Sequence, residues 1–150
     1  MHLSCKSVFV AAMLATLGCN DVAAPPNLPA GFTLEDISGR PLPTFISPIP
    51  EGPTIVYAHL QLTADGKATL AEARHEMTGG DVVFTTTYTY QINGNQIQFD
   101  YDPPCPPNAL CAAPPRGTIS GSRLTLAMYG ANSGVVYNFR LVTDGIIQLE

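Results

Sequence analysis

The sequence predicts an all-β domain, an antiparallel up-and-down meander of about eight strands that closes, fully or partly, into a small barrel. Three observations carry this. From Gly31 onward, apolar and polar residues alternate in short runs, the period of a strand with one buried face. Turn formers break those runs at short intervals, above all Asp65-Gly66, Asn93-Gly94 and Gly121-Ser122, which suit tight hairpins because glycine tolerates positive φ. Only 13% of residues are charged, and Thr, Ser, Asn, Gln and Gly supply most of the remaining polarity, which favours exposed β surfaces over helices. An open curved sheet is the alternative arrangement of the same strands.

Taken in order, Phe32 and Leu34 share one face of a first strand that ends near Gly39. The connection from Pro41 to Pro53 lacks too many N–H donors for a central strand and reads as a loop or edge segment. In Thr54 to Thr63, Val56, Ala58, Leu60 and Leu62 face one way, and Asp65-Gly66 reverses the chain. The strand from Lys67 to about Met77 has a mixed phase: Ala68 and Leu70 alternate, but Ala71, Ala73 and Met77 oppose them, so a bulge or helical turn fits there. After Thr78-Gly79-Gly80-Asp81, the run to Ile92 places Val82, Phe84, Tyr88, Tyr90 and Ile92 in one phase. Asn93-Gly94 then turns it into Ile97, Phe99 and Tyr101. A Pro-rich loop precedes a short hairpin about Gly121-Ser122, with Leu124, Leu126 and Met128 on one face. Val135 to Leu141 gives a further strand, and Thr143-Asp144-Gly145 turns into a last one, Ile146 to Leu149.

With 150 residues and 45% hydrophobic content, the chain has room for one domain and one core of ordinary size. A net charge of -5, with seven scattered Lys and Arg, argues against nucleic acid and acidic membrane surfaces, which call for clustered basic residues.

The N-terminal stretch is different in kind. Lys6 precedes the apolar run Val8 to Ala15, which is too short to span a bilayer. The run ends in Thr16-Leu17-Gly18-Cys19, which resembles the lipobox of bacterial lipoproteins, where the cysteine thiol is lipidated and the preceding signal removed. The resemblance implies a signal peptide over 1–18, a lipid on Cys19 and a membrane partner through that lipid. Asn20, standing where Asp would retain a lipoprotein at the inner membrane, favours the outer one. An ordinary secretory signal that leaves Cys19 free is the alternative. Residues 19–30 are Pro- and Ala-rich and read as an extended tether, followed by the barrel domain over 31–150.

Of the four cysteines, Cys5 leaves with the signal and Cys19 takes the lipid, so Cys105 and Cys111 remain. In an oxidising compartment their proximity favours a disulfide pinning the Pro-rich loop. A metal or redox pair is the competing reading, but no histidine stands nearby and the spacing is not that of a zinc ribbon. His59 and His75 flank the Asp65-Gly66 turn. With Glu72 or Glu76 they form the one metal constellation to weigh against two exposed strand histidines, and we expect no metal and no cofactor. Carboxylate pairs such as Asp100 with Asp102, or Glu72 with Asp81, arise freely on solvated β surfaces, and no Gly-x-Ser-x-Gly elbow is present. The aromatic set Phe84, Tyr88, Tyr90, Phe99, Tyr101, Tyr137 and Phe139 reads first as barrel core. If it lined a cavity, Tyr88, Tyr90 and Phe99 would be its residues, tyrosine offering an apolar ring with a polar tip.

Phe32-Thr33-Leu34-Glu35-Asp36-Ile37-Ser38-Gly39-Arg40-Pro41-Leu42-Pro43 resembles the first strand of small bacterial lipocalin-like and META-type lipoprotein domains. Leu62-Thr63-Ala64-Asp65-Gly66 and Ile119 to Leu126 resemble their hairpins. The resemblance spans about residues 30 to 142 and implies a lipocalin-like barrel. The Gly-x-Trp of true lipocalins is replaced by Gly31-Phe32, and the chain has no tryptophan. The expected function is a lipid-anchored envelope protein, a structural or interaction module meeting another envelope protein and not an enzyme. The alternative is a carrier of a small apolar ligand inside the barrel.

Overall fold

The structure, a computed structural model, describes residues 24–46, 53–76 and 79–142. The segment read as a signal peptide, Cys19, Met77, Thr78 and the final strand expected at Ile146 to Leu149 lie outside the described residues. Among the described residues ten strands follow one another: β1 (Ala30–Ile37), β2 (Arg40–Pro41), β3 (Thr44–Phe45), β4 (Thr54–Leu62), β5 (Lys67–His75), β6 (Asp81–Asn93), β7 (Gln96–Tyr101), β8 (Arg116–Ser120), β9 (Arg123–Ala127) and β10 (Val136–Val142). The first begins one residue inside the stretch read as tether.

From β4 to β10 each strand pairs antiparallel with the next, and β1 pairs antiparallel with both β10 and β4. The eight long strands therefore close into an up-and-down barrel, and the open sheet is excluded. The two-residue strands β2 and β3 extend β1 and β4 at the rim, which is as much pairing as the Pro-rich connection allows.

Closure is helped by two bulges. Glu35 has no rung opposite it, since Leu34 faces Phe139 and Asp36 faces Asn138. Val56 is skipped in the same way between Ile55 and Tyr57. Each extra residue bends its strand and resets the alternation, so Leu34 and Ile37, like Ile55 and Ala58, all point inward. The mixed phase in β5 needs no such device. Its pairing with β6 is continuous from Lys67 to His75. Ala71 and Ala73 are buried on the outer face because they lie opposite His59 and Tyr57, whose rings stand 5.5 Å apart and cover them.

The hairpin at Asn93-Gly94 forms, but its register places Gly94 and Asn95 at the turn. This register sets Ile92 opposite Ile97, Tyr90 opposite Phe99 and Tyr88 opposite Tyr101; the shift that centred the turn on Asn93-Gly94 would face Ile92 with Asn95. Apolar rungs decide over turn preference. Gly94 takes a φ of 62°, which suits the first central position of a type II′ turn.

The interior is packed by the strands' own side chains. Phe32, Phe99, Tyr137 and Phe139 are each at most 1% exposed, with Leu60, Leu62, Leu70 and Leu124 between them. Thr33, Gln61, Thr89, Gln98 and Arg140 face outward along the same strands. Apolar inside and polar outside is the reverse of a membrane-spanning barrel.

The β8–β9 pairing depends on Gly117. A Cβ there would stand 1.8 Å from the Thr125 carbonyl oxygen, a backbone atom that no side-chain rotation can clear. Gly117→Ala is expected to lower the unfolding free energy by about 3 kcal/mol in urea titration. A variant as stable as the parent would contradict this strand packing.

Candidate functional site

Antiparallel order sorts the connections to two ends. At one end lie residues 24–29, the Asp65-Gly66, Gly94-Asn95 and Gly121-Ser122 turns, and the last described residue of β10. There residues 24–29 border an open groove of about 580 Å³, lined by Pro25, Pro26, Gln61, Gly121 and Leu141 among others. At the opposite, distal end stand the Ser38-Gly39 turn, the Asp102 to Pro115 loop and the Tyr129 to Gly134 turn.

The distal end is closed by a polar cluster around Glu72. Alternation from Ala68 and Leu70 carries Glu72 to the inner face of β5, where it is 3% exposed. A buried carboxylate needs partners, and two strands supply them. The Tyr137 hydroxyl donates to Oε1 at 2.7 Å, and Arg74 Nη2 donates to Oε2 at 3.1 Å. Arg74 also lies over the Phe84 ring, 4.6 Å from its centroid, while its Nε is buried without a hydrogen-bond partner among the described residues. Burial pulls the Arg74 pKa down, but the Glu72 carboxylate more than offsets this and leaves it raised. Burial, reinforced by the Glu72 charge, pushes the Tyr137 phenol far above the ordinary tyrosine range. Burial followed by Tyr101 and Glu72 does the same to Tyr88. These phenols are hydrogen-bond donors at any physiological pH.

Glu72, Arg74, Tyr88, Tyr101, Met128 and Tyr129 line a cavity of about 120 Å³ there. That is room for about four waters and well short of the roughly 300 Å³ at which small-molecule pockets begin. Of the three residues nominated for a ligand cavity, Tyr88 lines this space. Phe99 lies between Tyr88 and Tyr90, with ring centroids 5.6 and 6.1 Å away. Tyr90 points to the tether end, its hydroxyl donating to the Thr63 carbonyl at 2.6 Å. All three belong to one continuous buried core.

In the loop at this same end, Cys105 and Cys111 form a disulfide with Cα atoms 6.2 Å apart. On the chain-entropy account, so short a closed loop is worth about 2 kcal/mol. It holds the loop with Leu110 fully exposed at its tip.

The remaining nominees are dispersed. His59 sits on the outer face of β4 with Nδ1 3.1 Å from Thr33 Oγ1, whereas His75 pairs with Asp81 at 2.9 Å. Asp102 is bound by Lys67, and Glu72 lies inside while Asp81 pairs with His75 at the surface, so the Glu72 and Asp81 pair does not assemble. Among the described residues no three His, Cys, Asp or Glu side chains gather at metal-binding distance. Glu72, Arg74 and Tyr129 are the residues that sequence reasoning missed as a group. The signal was there for the first two, since they continue the inward phase of Ala68 and Leu70.

No family model matches the chain, and no curated protein or solved structure shows significant similarity to it.

Two outcomes follow. Tyr137→Phe is expected to lose about 2 kcal/mol of stability, as for a hydrogen bond to a charged group, and much less in a Glu72→Leu background; equal losses in both would assign the effect to packing. Burial holds His59 below its ordinary 6.5, so the unfolded state takes up its proton first. The stability tied to neutral His59 is complete above pH 6.5 and declines as pH falls through that value toward the folded one. His59→Gln should therefore flatten the loss of thermal stability below pH 6.5, and an unchanged slope would count against it.

Proposed function

We propose that the chain is a lipid-anchored protein of the bacterial cell envelope, held through Cys19 and favouring the outer membrane, and that it works as an interaction module without catalysis. The observation that carries the reading is the occupied barrel. Tyr88, Tyr90 and Phe99 pack within the core, while the distal end offers an anchored loop and exposed apolar side chains at Leu110, Val83 and Phe84.

The tether supports the same orientation. About eleven residues from Cys19 to Ala30 reach at most roughly 35 Å in extended polyproline form, and they join the barrel at the end opposite that loop. A lipid on Cys19 would thus keep the groove end toward the membrane and the distal end toward a protein partner. The second reading, a lipocalin-like carrier of a small apolar ligand, is favoured only by the Tyr88-lined cavity, which would have to widen to take a guest.

The test is made on the full chain expressed in a bacterium with an outer membrane. Extraction from the membrane with the added mass of acyl groups, and release into the soluble fraction on Cys19→Ser, are expected. A photoreactive residue at Leu110 should then give one discrete protein adduct, lost when the Cys105 to Cys111 loop is shortened. An unmodified, soluble parent chain would contradict the anchor. A co-purifying apolar mass with no protein adduct would favour the carrier.

A further inference from the structure

The longest unpaired stretch of strand edge among the described residues lies in β6. Pairing of β6 with β5 runs from Asp81 to Thr89, but pairing with β7 begins only at Tyr88 opposite Tyr101. The intervening edge carries Val82, Val83 and Phe84, which are 45%, 52% and 39% exposed. The hydrogen bonds at its margin fix which backbone groups face out. The Tyr90 N–H donates to Gly66 on the β5 side, and Thr87 C=O accepts from Asp102 N–H on the other. Antiparallel alternation then turns Val82, Phe84 and Thr86 toward β5, and Val83 and Thr85 toward the open side. Natural edges are blunted by charge, proline or bulges; Val82 to Thr86 has none of these.

We propose that this edge pairs antiparallel with the same edge of a second copy, about a two-fold axis through Phe84. The register follows from the residues. Val83 bonds Thr85 of the second copy and Thr85 bonds Val83, which satisfies every outward-facing backbone group of the stretch. Val82 faces Thr86, and Phe84 faces Phe84 in the close, non-hydrogen-bonded geometry where aromatic pairs contribute most. The paired segment is uncharged, and the two Asp81 carboxylates fall at opposite ends. Centring the axis on Thr85 would push Val83 against Thr87, whose carbonyl Asp102 already occupies; centring it on Val83 would leave Thr86 unmatched. The two outer faces also join, bringing the exposed Tyr57 and Val83 surfaces into one sheet. An edge contact alone is smaller than the roughly 1,200 Å² of a stable interface, so the association is weak and best trapped covalently. It requires neither the lipid nor any other partner.

The experiment is disulfide trapping in the full chain under mild oxidation, with the parent chain as baseline. Facing Phe84 positions have Cα atoms about 4.5 Å apart, within disulfide reach, whereas two Val82 positions lie about 13 Å apart along the strands. F84C is expected to give at least about tenfold more covalent homodimer than V82C, although both sites are exposed. Thr85→Pro removes an outward N–H without touching the bonds to β5, and should abolish trapping in the F84C background. Thr85→Lys, which sets a cation beside the axis in each copy, should do the same should the proline variant fail to fold. No F84C dimer, equal trapping at V82C, or an F84C adduct with a different protein would each overturn the proposal.

Discussion

Strand β1 is held along both edges, by β10 and by β4, and the barrel depends on that double pairing. Without it the same hairpins would form an open sheet with two exposed ladders, and Phe32 and Leu34 would have only one wall to pack against. With it, Phe32 meets Leu60 across one seam and Leu141 across the other, and the interior becomes continuous. The bulge at Glu35 belongs to this constraint. It bends β1 just beyond its last rung with β4, at Thr33, while the pairing with β10 continues on both sides, and it restores Ile37 to the inside, where it is 3% exposed.

Closure leaves the distal end to be sealed by different means. Strand β6 has 13 residues and β7 has 6, so the wall is incomplete where β7 stops. The chain fills the gap with the disulfide-pinned loop outside and the Glu72 cluster inside. Placing a carboxylate there is costly unless every lone pair finds a donor, and Tyr137 reaching across the barrel from β10 ties that requirement to closure itself. Arg74 and Phe84 extend the cluster to the open edge. The most polar interior region and the most apolar exposed strand thus share a side chain, Arg74.

Much of this was legible in the sequence. Alternation and glycine turns located the eight long strands, and two cysteines separated by five residues in a Pro-rich loop indicated their disulfide. What was not legible depended on partners distant in sequence. Nothing local distinguishes β1 pairing with β4 from β1 standing as a free edge. Val82 and Phe84 carry the same phase as Tyr88 and Tyr90 yet lie exposed, because alternation reports which face a residue takes but not whether a neighbouring strand extends far enough to cover it. Glu72 was read with Asp81 as a carboxylate on a solvated β surface; its phase argued the opposite, and its phase prevailed because Tyr137 supplies the donor. The lipobox reading of Cys19 rests on a different kind of signal, a resemblance to a processing motif, on which packing has no bearing.

The most direct test of the account is native-state amide hydrogen exchange of the full chain, comparing β1 with the outer half of β6 at low protein concentration. A closed barrel predicts that the segment from Ala30 to Leu34 exchanges as slowly as β9 and β10, while Val83 and Thr85 exchange fast. Exchange of β1 at the rate of Val83 and Thr85 would show a sheet open at that seam and would contradict the closed barrel on which the filled core, the distal seal and the exposed β6 edge all rest.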